Sequence, residues 1–170
     1  MKRPRLVGVA VATLLLAYSP QLALASGTTF SAHLNGKDVV PSRPTNATAE
    51  AKFFLGNDGT QLQYRVNVGN IENVVRADIH IGAPGANGEI VATLYGPVPA
   101  GGGKKTGILA SGTIMAASLV GSLSGRPLSD LISAMKAGNV YVDISTDDGN
   151  GVPDQKPGDF STGEVRGQVK

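Results

Sequence analysis

Apolar and polar residues alternate along several short stretches of this chain, which is the pattern of half-buried β-strands. The alternation is cleanest over 47–55, 61–68 and 74–81. In the last stretch Val75, Ala77, Ile79 and Ile81 are predicted to point inward, and Arg76, Asp78 and His80 outward. Similar runs predict eight strands, over 29–35, 47–55, 61–68, 74–81, 90–95, 107–116, 140–145 and 163–169.

Turn residues and one helical stretch complete the predicted architecture. Asn57-Asp58-Gly59 between two alternating runs is typical of a hairpin turn. Apolar residues at helical spacing predict one short helix, ended by Gly138; they are Leu128, Leu131, Ile132 and Met135. The Gly- and Pro-rich stretch 97–105 predicts a mobile loop. The expected fold is an all-β antiparallel β-sandwich, immunoglobulin-like or superoxide-dismutase-like with Greek-key connections, of roughly eight strands and one short helix.

The N-terminus combines the three parts of a secretory signal peptide: a basic start, an apolar run and small residues at a cleavage site. These parts are Lys2, Arg3 and Arg5, the run 6–17, and Leu22-Ala23-Leu24-Ala25. The run is shorter than the roughly 20 residues of a spanning helix, which favours cleavage after Ala25 over a retained membrane anchor. We therefore expect a signal peptide over 1–25 and one domain over 26–170, secreted or otherwise extracytoplasmic, without a membrane span after cleavage.

Composition narrows the possible partners and chemistry. The whole chain has a formal charge of +2, but residues 26–170 contain 12 Lys and Arg against 13 Asp and Glu. A domain of this balance is not expected to bind nucleic acid or an anionic membrane. The absence of cysteine excludes disulfides, thiolate metal sites and cysteine nucleophiles.

Three segments, in this order along the chain, resemble the CHRD (chordin) domain. They are Ala77-Asp78-Ile79-His80-Ile81-Gly82-Ala83-Pro84-Gly85-Ala86-Asn87-Gly88, the stretch 128–142 ending in Gly138-Asn139-Val140-Tyr141-Val142, and Gly163-Glu164-Val165-Arg166-Gly167-Gln168. The openings Phe30-Ser31-Ala32-His33-Leu34 and Val39-Val40-Pro41 also fit. The resemblance implies a β-sandwich outside the cytoplasm with no established catalytic activity. Chordin's action on growth factors is not implied, because the chain lacks chordin's other modules.

The histidines depart from the family pattern. Members commonly read His-Ile-His where this chain has Asp78-Ile79-His80, and Val-His-Thr where it has Ile144-Ser145-Thr146. Those family histidines resemble the copper ligands of the superoxide dismutase sandwich. Here His80 and Asp78, joined by His33 if the fold brings it near, are the residues that could hold a transition metal. The alternative is that they are ordinary polar residues on the strand surface.

The loop 146–159 is the second candidate metal site. Its oxygen donors are Asp147, Asp148, Asn150, Asp154 and Asp159. Glycines between them allow a loop to fold around Ca²⁺, which prefers several hard oxygen ligands. The stretch resembles the aspartate-rich loops of thrombospondin type 3 repeats, with Thr146 and Asn150 in place of two aspartates. The alternative is a solvated acidic connector rich in turn residues.

No hydrolase or phosphate-loop motif is present. Gly-x-Ser-x-Gly does not occur, and Gly101-Gly102-Gly103-Lys104-Lys105-Thr106 lacks the spacing of a phosphate loop. Asn46-Ala47-Thr48 is a glycosylation sequon. Glu164 and Arg166 share one face of the last strand, which predicts a charge pair with a neighbouring strand.

The sequence therefore predicts a secreted or cell-envelope binding or structural module, not an enzyme, that recognises an extracellular protein or envelope component. It is expected to need no cofactor, with Ca²⁺ as the possible exception. The alternative is a metal-dependent protein, with either a weak calcium site in the loop 146–159 or a degenerate copper-type site near His80.

Overall fold

The computed structural model describes residues 27–151 and 156–170. The strands are β1 (Thr29–Asn35), β2 (Thr48–Leu55), β3 (Leu62–Glu72), β4 (Val74–Ile81), β5 (Ile90–Tyr95), β6 (Lys104–Ile114), β7 (Val140–Thr146) and β8 (Val165–Gln168), and one helix, α1 (Leu128–Lys136), precedes β7. The signal peptide expected over 1–25 lies outside the described residues. Within the described part of the chain, no helix has the length and apolar character required to span a membrane.

All eight strands form one antiparallel sheet in the order β5-β4-β7-β8-β1-β2-β3-β6. The sheet curls until its two edge strands, β5 and β6, approach each other. The Tyr64 hydroxyl on β3 donates a hydrogen bond across this seam to the Leu94 carbonyl on β5, at 2.8 Å. The chain runs through β4, β5 and β6 in turn, and β7 then returns through α1 to pair with β4. This is a Greek-key connection and confirms the predicted all-β class.

The register of the strands follows the alternation in the sequence. Phe53 and Ala51 on β2 are buried opposite Tyr64 and Val66 on β3, and the predicted turn at Asn57-Asp58-Gly59 joins the two strands. On β4, Ala77 and Ile79 are fully buried, but Val74 is in the core in place of the predicted Val75, because the pairing with β7 shifts register between Val74 and Arg76. Apolar residues from both halves of the sheet therefore form one hydrophobic core inside the curl.

The helix α1 covers part of this core. Its four predicted apolar residues, Leu128, Leu131, Ile132 and Met135, are all buried. Asp130 in the first turn and Lys136 in the last turn both complement the helix dipole. Gly138 follows the helix with φ +71°, a left-handed conformation that glycine adopts without strain.

One boundary differs from the sequence-based expectation. Residues 97–105 are predicted to form a loop throughout, but β6 begins at Lys104, opposite Glu72, and Lys105 lies opposite Ile71. Strands pair through their backbone groups. Residues can therefore join a strand without the alternation of apolar and polar side chains on which the prediction depends. The Gly103 amide also donates to the Asn73 side chain, at 2.9 Å, which fixes the approach to the strand.

Candidate functional site

The outer face of β4, β7 and β8 carries a row of charged residues that the register places side by side. Asp78 on β4 lies opposite Asp143 on β7, and Asp143 lies opposite Arg166 on β8. All three side chains are buried, Arg166 with only 2% of its surface exposed. Because their own strands turn these side chains away from the hydrophobic core, the segments packed over the sheet must exclude the water. We call this row and its cover the polar layer.

The prediction that Asp78 points outward to solvent is wrong. Asp78 does occupy the outer face of the sheet, but it accepts hydrogen bonds from the Thr93 hydroxyl at 2.8 Å and from Arg76 Nη2 at 3.1 Å. The Nε atom of Arg76 is also 2.6 Å from an Asp78 carboxylate oxygen. Alternation predicts the face on which a residue lies, but it does not predict whether another segment covers that face.

His80 is likewise half-buried rather than fully outward. Its ring stacks on Tyr141, with centroids 4.7 Å apart and planes inclined by 10°. The Nδ1 atom is 2.9 Å from the Gly88 carbonyl oxygen, so Nδ1 carries the proton of the neutral ring. Burial lowers the pKa of His80, which favours that neutral form.

Arg166 lies on the other side of Tyr141 and completes the stack. Its Cζ atom is 3.5 Å from the Tyr141 ring centroid. The guanidinium donates to the Ala86 carbonyl at 2.8 Å and to the Asn87 side chain at 3.1 Å. The Tyr141 hydroxyl accepts from the Gly88 amide at 3.0 Å. Arg166 and Tyr141 together therefore hold the turn 82–88 against the sheet.

Glu164, at the other end of the polar layer, also holds other segments of the chain in place. Its carboxylate accepts hydrogen bonds from the Thr45 hydroxyl at 2.6 Å, the Thr146 hydroxyl at 2.7 Å and the Gly158 amide at 2.8 Å. Among the described residues, neither Glu164 nor Arg166 forms an ion pair within 4.0 Å. In place of the predicted charge pair, Arg166 donates hydrogen bonds to the turn 82–88, and Glu164 accepts hydrogen bonds from other segments.

Asp143 is the residue of this face that sequence reasoning did not single out. Burial raises its pKa from 3.8 to about 7, against the lowering influence of the Arg166 guanidinium, and the negative charge of Asp78 raises it further. Gly163 packs directly over the carboxylate with φ +118°, and a Cβ atom there would overlap Asp143. A single aspartate within a strand carries no sequence signal of burial, because the cover comes from a distant segment.

The acidic loop brings together part of the predicted calcium set. Oxygen atoms of Asp147, Asp148 and Asp159 lie within 4.8 Å of one another. The Asn150 amide donates to Asp148 Oδ2 at 2.8 Å, so it packs beside the same group. Asp154 lies outside the described residues. Lys156 Nζ is 2.9 Å from Asp148 Oδ2, and this hydrogen bond lowers the pKa of Asp148.

The residues of the predicted transition-metal site are not assembled. Within 27–151 and 156–170, one group of three or more acidic or histidine side chains lies at metal-binding distances. This group is Asp147, Asp148 and Asp159, and it contains neither His33 nor His80. His33 is 81% exposed on β1 and lies 4.0 Å from Glu50. Asp78 is occupied by Arg76 and Thr93. The described geometry gives no support to a copper-type site.

Substitution of His80 tests the stack. We expect His80→Ala to lower the free energy of unfolding by about 1–2 kcal/mol, because it removes a ring stack and a hydrogen bond. His33→Ala is the matched control, since that side chain is exposed, and should change stability by less than about 0.5 kcal/mol. Urea unfolding of both variants measures the difference. Equal effects would show that the His80 ring contributes nothing to the turn.

Asp143 should make stability depend on pH. A carboxyl group whose pKa is raised on folding keeps its proton in the native state where the unfolded chain has lost it. Its contribution is therefore complete below 3.8 and is lost as the pH rises to about 7. We expect Asp143→Asn to remove this part of the decline, which lies between about pH 4 and about pH 7. The control is Asp130→Asn, at a half-buried position of α1 outside the polar layer, which should leave the decline unchanged.

Comparison with known families agrees with this architecture. The family model described as the CHRD domain matches residues 30–152, which include seven of the eight strands and α1. No curated protein matches the sequence. The matched region covers well over half of the chain and contains the turn 82–88 that Arg166 and Tyr141 hold in place. The chain therefore belongs to the CHRD domain family.

Proposed function

We propose that this chain is an extracytoplasmic binding or structural module without catalytic activity. The CHRD domain is in general a non-enzymatic module of extracellular proteins, and the family assignment supports the same role here. The observation that carries the proposal is the set of contacts made by the charged side chains of the polar layer. Its charged side chains are directed at the covering segments of the protein itself, so the layer holds surface loops in a fixed shape.

The details of the polar layer support a structural reading over a catalytic one. A catalytic group must reach a substrate, yet Arg166 and Glu164 are buried and hydrogen-bonded to backbone and hydroxyl groups of the covering turns. His80 has one ring face against Tyr141 and its Nδ1 atom against Gly88. Such constraints suit a rigid scaffold that presents its outer surface to an extracellular protein or an envelope component.

Export is the first test of this proposal. The basic start, apolar run and Leu22-Ala23-Leu24-Ala25 stretch lead us to expect that the chain is cleaved after Ala25 on secretion. N-terminal sequencing of protein recovered outside the cytoplasm should begin at Ser26. Ala25→Leu is expected to delay cleavage, since a large residue then occupies the peptidase site. Recovery of the chain in the cytoplasm with Met1 still present would contradict the proposed location.

A second candidate function is calcium binding by the acidic loop. The observation in its favour is the grouping of Asp147, Asp148 and Asp159, which provides three carboxylates at one place. Lys156 already neutralises part of this charge, through its 2.9 Å contact with Asp148. Bound Ca²⁺ would have to displace the lysine, which predicts weak affinity, in the range of about 0.1–1 mM that is known for extracellular modules.

The competition between Lys156 and Ca²⁺ gives a sharp test. We expect Ca²⁺ at about 1 mM to raise the melting temperature, because it binds the native state alone. Lys156→Gln should enlarge the rise by removing the competing cation, and Asp147→Asn with Asp148→Asn should abolish it. Mg²⁺ serves as the control ion. A melting temperature that is the same in chelator and in Ca²⁺ for all three proteins would leave the loop as an acidic connector.

A further inference from the structure

A broad groove lies on the outer face of the opposite half of the sheet, away from the polar layer. It crosses β1, β2 and β3 and has a volume of about 570 Å³. The side chains that line it include Ser31, Lys52, Phe54, Gln63, Arg65 and Lys170. We call it the β1–β3 groove. The inward neighbours of these residues, such as Phe53, belong to the hydrophobic core, so the floor of the groove is rigid.

Two positive charges face each other across the groove. Lys52 on β2 is the register partner of Arg65 on β3, and both side chains are exposed. Like charges directly opposite on neighbouring strands are unfavourable. Lys52 is compensated by Glu50 at 3.1 Å. Arg65, by contrast, forms no ion pair within 4.0 Å in the described part of the chain. The groove therefore offers a free guanidinium, which is suited to a carboxylate ligand.

An aromatic ring and neutral polar groups lie beside this guanidinium. Phe54 is 42% exposed and is the register partner of Gln63, in the row next to that of Lys52 and Arg65. Ser31 lies opposite Lys52 on β1. Phe54 alone would carry no meaning, since single exposed apolar residues are common. Here it is the diagonal cross-strand neighbour of Arg65, and such neighbours lie about 7–8 Å apart.

We propose that the β1–β3 groove binds an acidic oligosaccharide, a glycan chain that carries carboxylates. A pyranose has an apolar C–H face and an edge of hydroxyl groups. Its face packs on Phe54, its hydroxyls bind Gln63 and Ser31, and the carboxylate of a uronic acid unit pairs with Arg65. Three strands at about 4.8 Å spacing accommodate two to three sugar units. This inference deepens the proposed extracytoplasmic binding role by naming a ligand class.

Nucleic acids, lipid surfaces and peptides fit the groove less well. Nucleic acid binding depends on many phosphate contacts, whereas residues 26–170 have more acidic than basic residues. A lipid surface requires an apolar patch, and Phe54 is the one exposed large apolar side chain among those lining the described groove. A peptide adds to a sheet by its backbone, but here the backbone groups of β2 are already paired on both sides, with β1 and β3.

Calorimetric titration of the purified chain with a galacturonic acid hexamer tests the proposal, with maltohexaose as the neutral comparison. We expect saturable binding of the acidic hexamer, about tenfold weaker binding of the neutral one, and loss of affinity with added salt. Arg65→Gln should weaken binding of the acidic hexamer about tenfold, and Arg65→Lys less, because it keeps the charge but loses the planar fork. Phe54→Ala should weaken both hexamers.

The matched control is Lys136→Gln, an exposed cation on α1 outside the groove, which should bind as the unsubstituted chain does. Thermal melts show whether the variants are folded. The absence of saturable binding, equal binding of the two hexamers, or equal effects of Arg65→Gln and Lys136→Gln would overturn the proposal. Binding through Arg65 of an oligonucleotide or of anionic vesicles, but not of the acidic hexamer, would also overturn it. These results are independent of export, so they can fail while the chain is still shown to be extracytoplasmic.

Discussion

The burial of the Arg166 guanidinium is the constraint around which the outer half of this domain is arranged. A buried cation is costly unless its charge is met by other groups. Within the described residues no carboxylate lies within 4.0 Å to pair with it. It is met instead by the ring face of Tyr141 and by backbone carbonyls of the turn 82–88. These partners are dipoles of fixed direction, so the turn must take one conformation to satisfy the charge.

The other buried charged groups on the outer face of the sheet also depend on the groups around them. Glu164 gathers donors from the segment before β2, from β7 and from the turn before β8. Asp143 lies between Asp78 and Arg166 and holds its proton up to about pH 7. The protein thus has two interiors, an apolar one inside the curled sheet and a polar one outside it. The polar interior connects segments that are far apart in sequence, which suits a chain without disulfides.

The fold could be predicted from the sequence because its signals are local. The alternation around Val66 and the turn at Gly59 predict strands and a hairpin without any knowledge of the partner strands. The polar layer could not be predicted in this way. Asp78 and Asp143 each look like solvent-facing residues, and their burial follows from turns that are contributed by remote segments. The sequence shows that Asp147 and Asp148 lie together, because these residues are adjacent. The contact of Lys156 with Asp148 could not be predicted, because it depends on how the loop folds.

The seam between β5 and β6 opposes self-association of the protein through its sheet edges. A β-sheet with open edges exposes unpaired amides and carbonyls, which recruit strands from other molecules and lead to aggregation. Here the curl turns the two edge strands toward each other, and the Tyr64 hydroxyl spans the gap to β5. The end of β6 that begins the strand carries Lys104 and Lys105, both exposed. Their charge opposes edge-to-edge pairing at this end of β6.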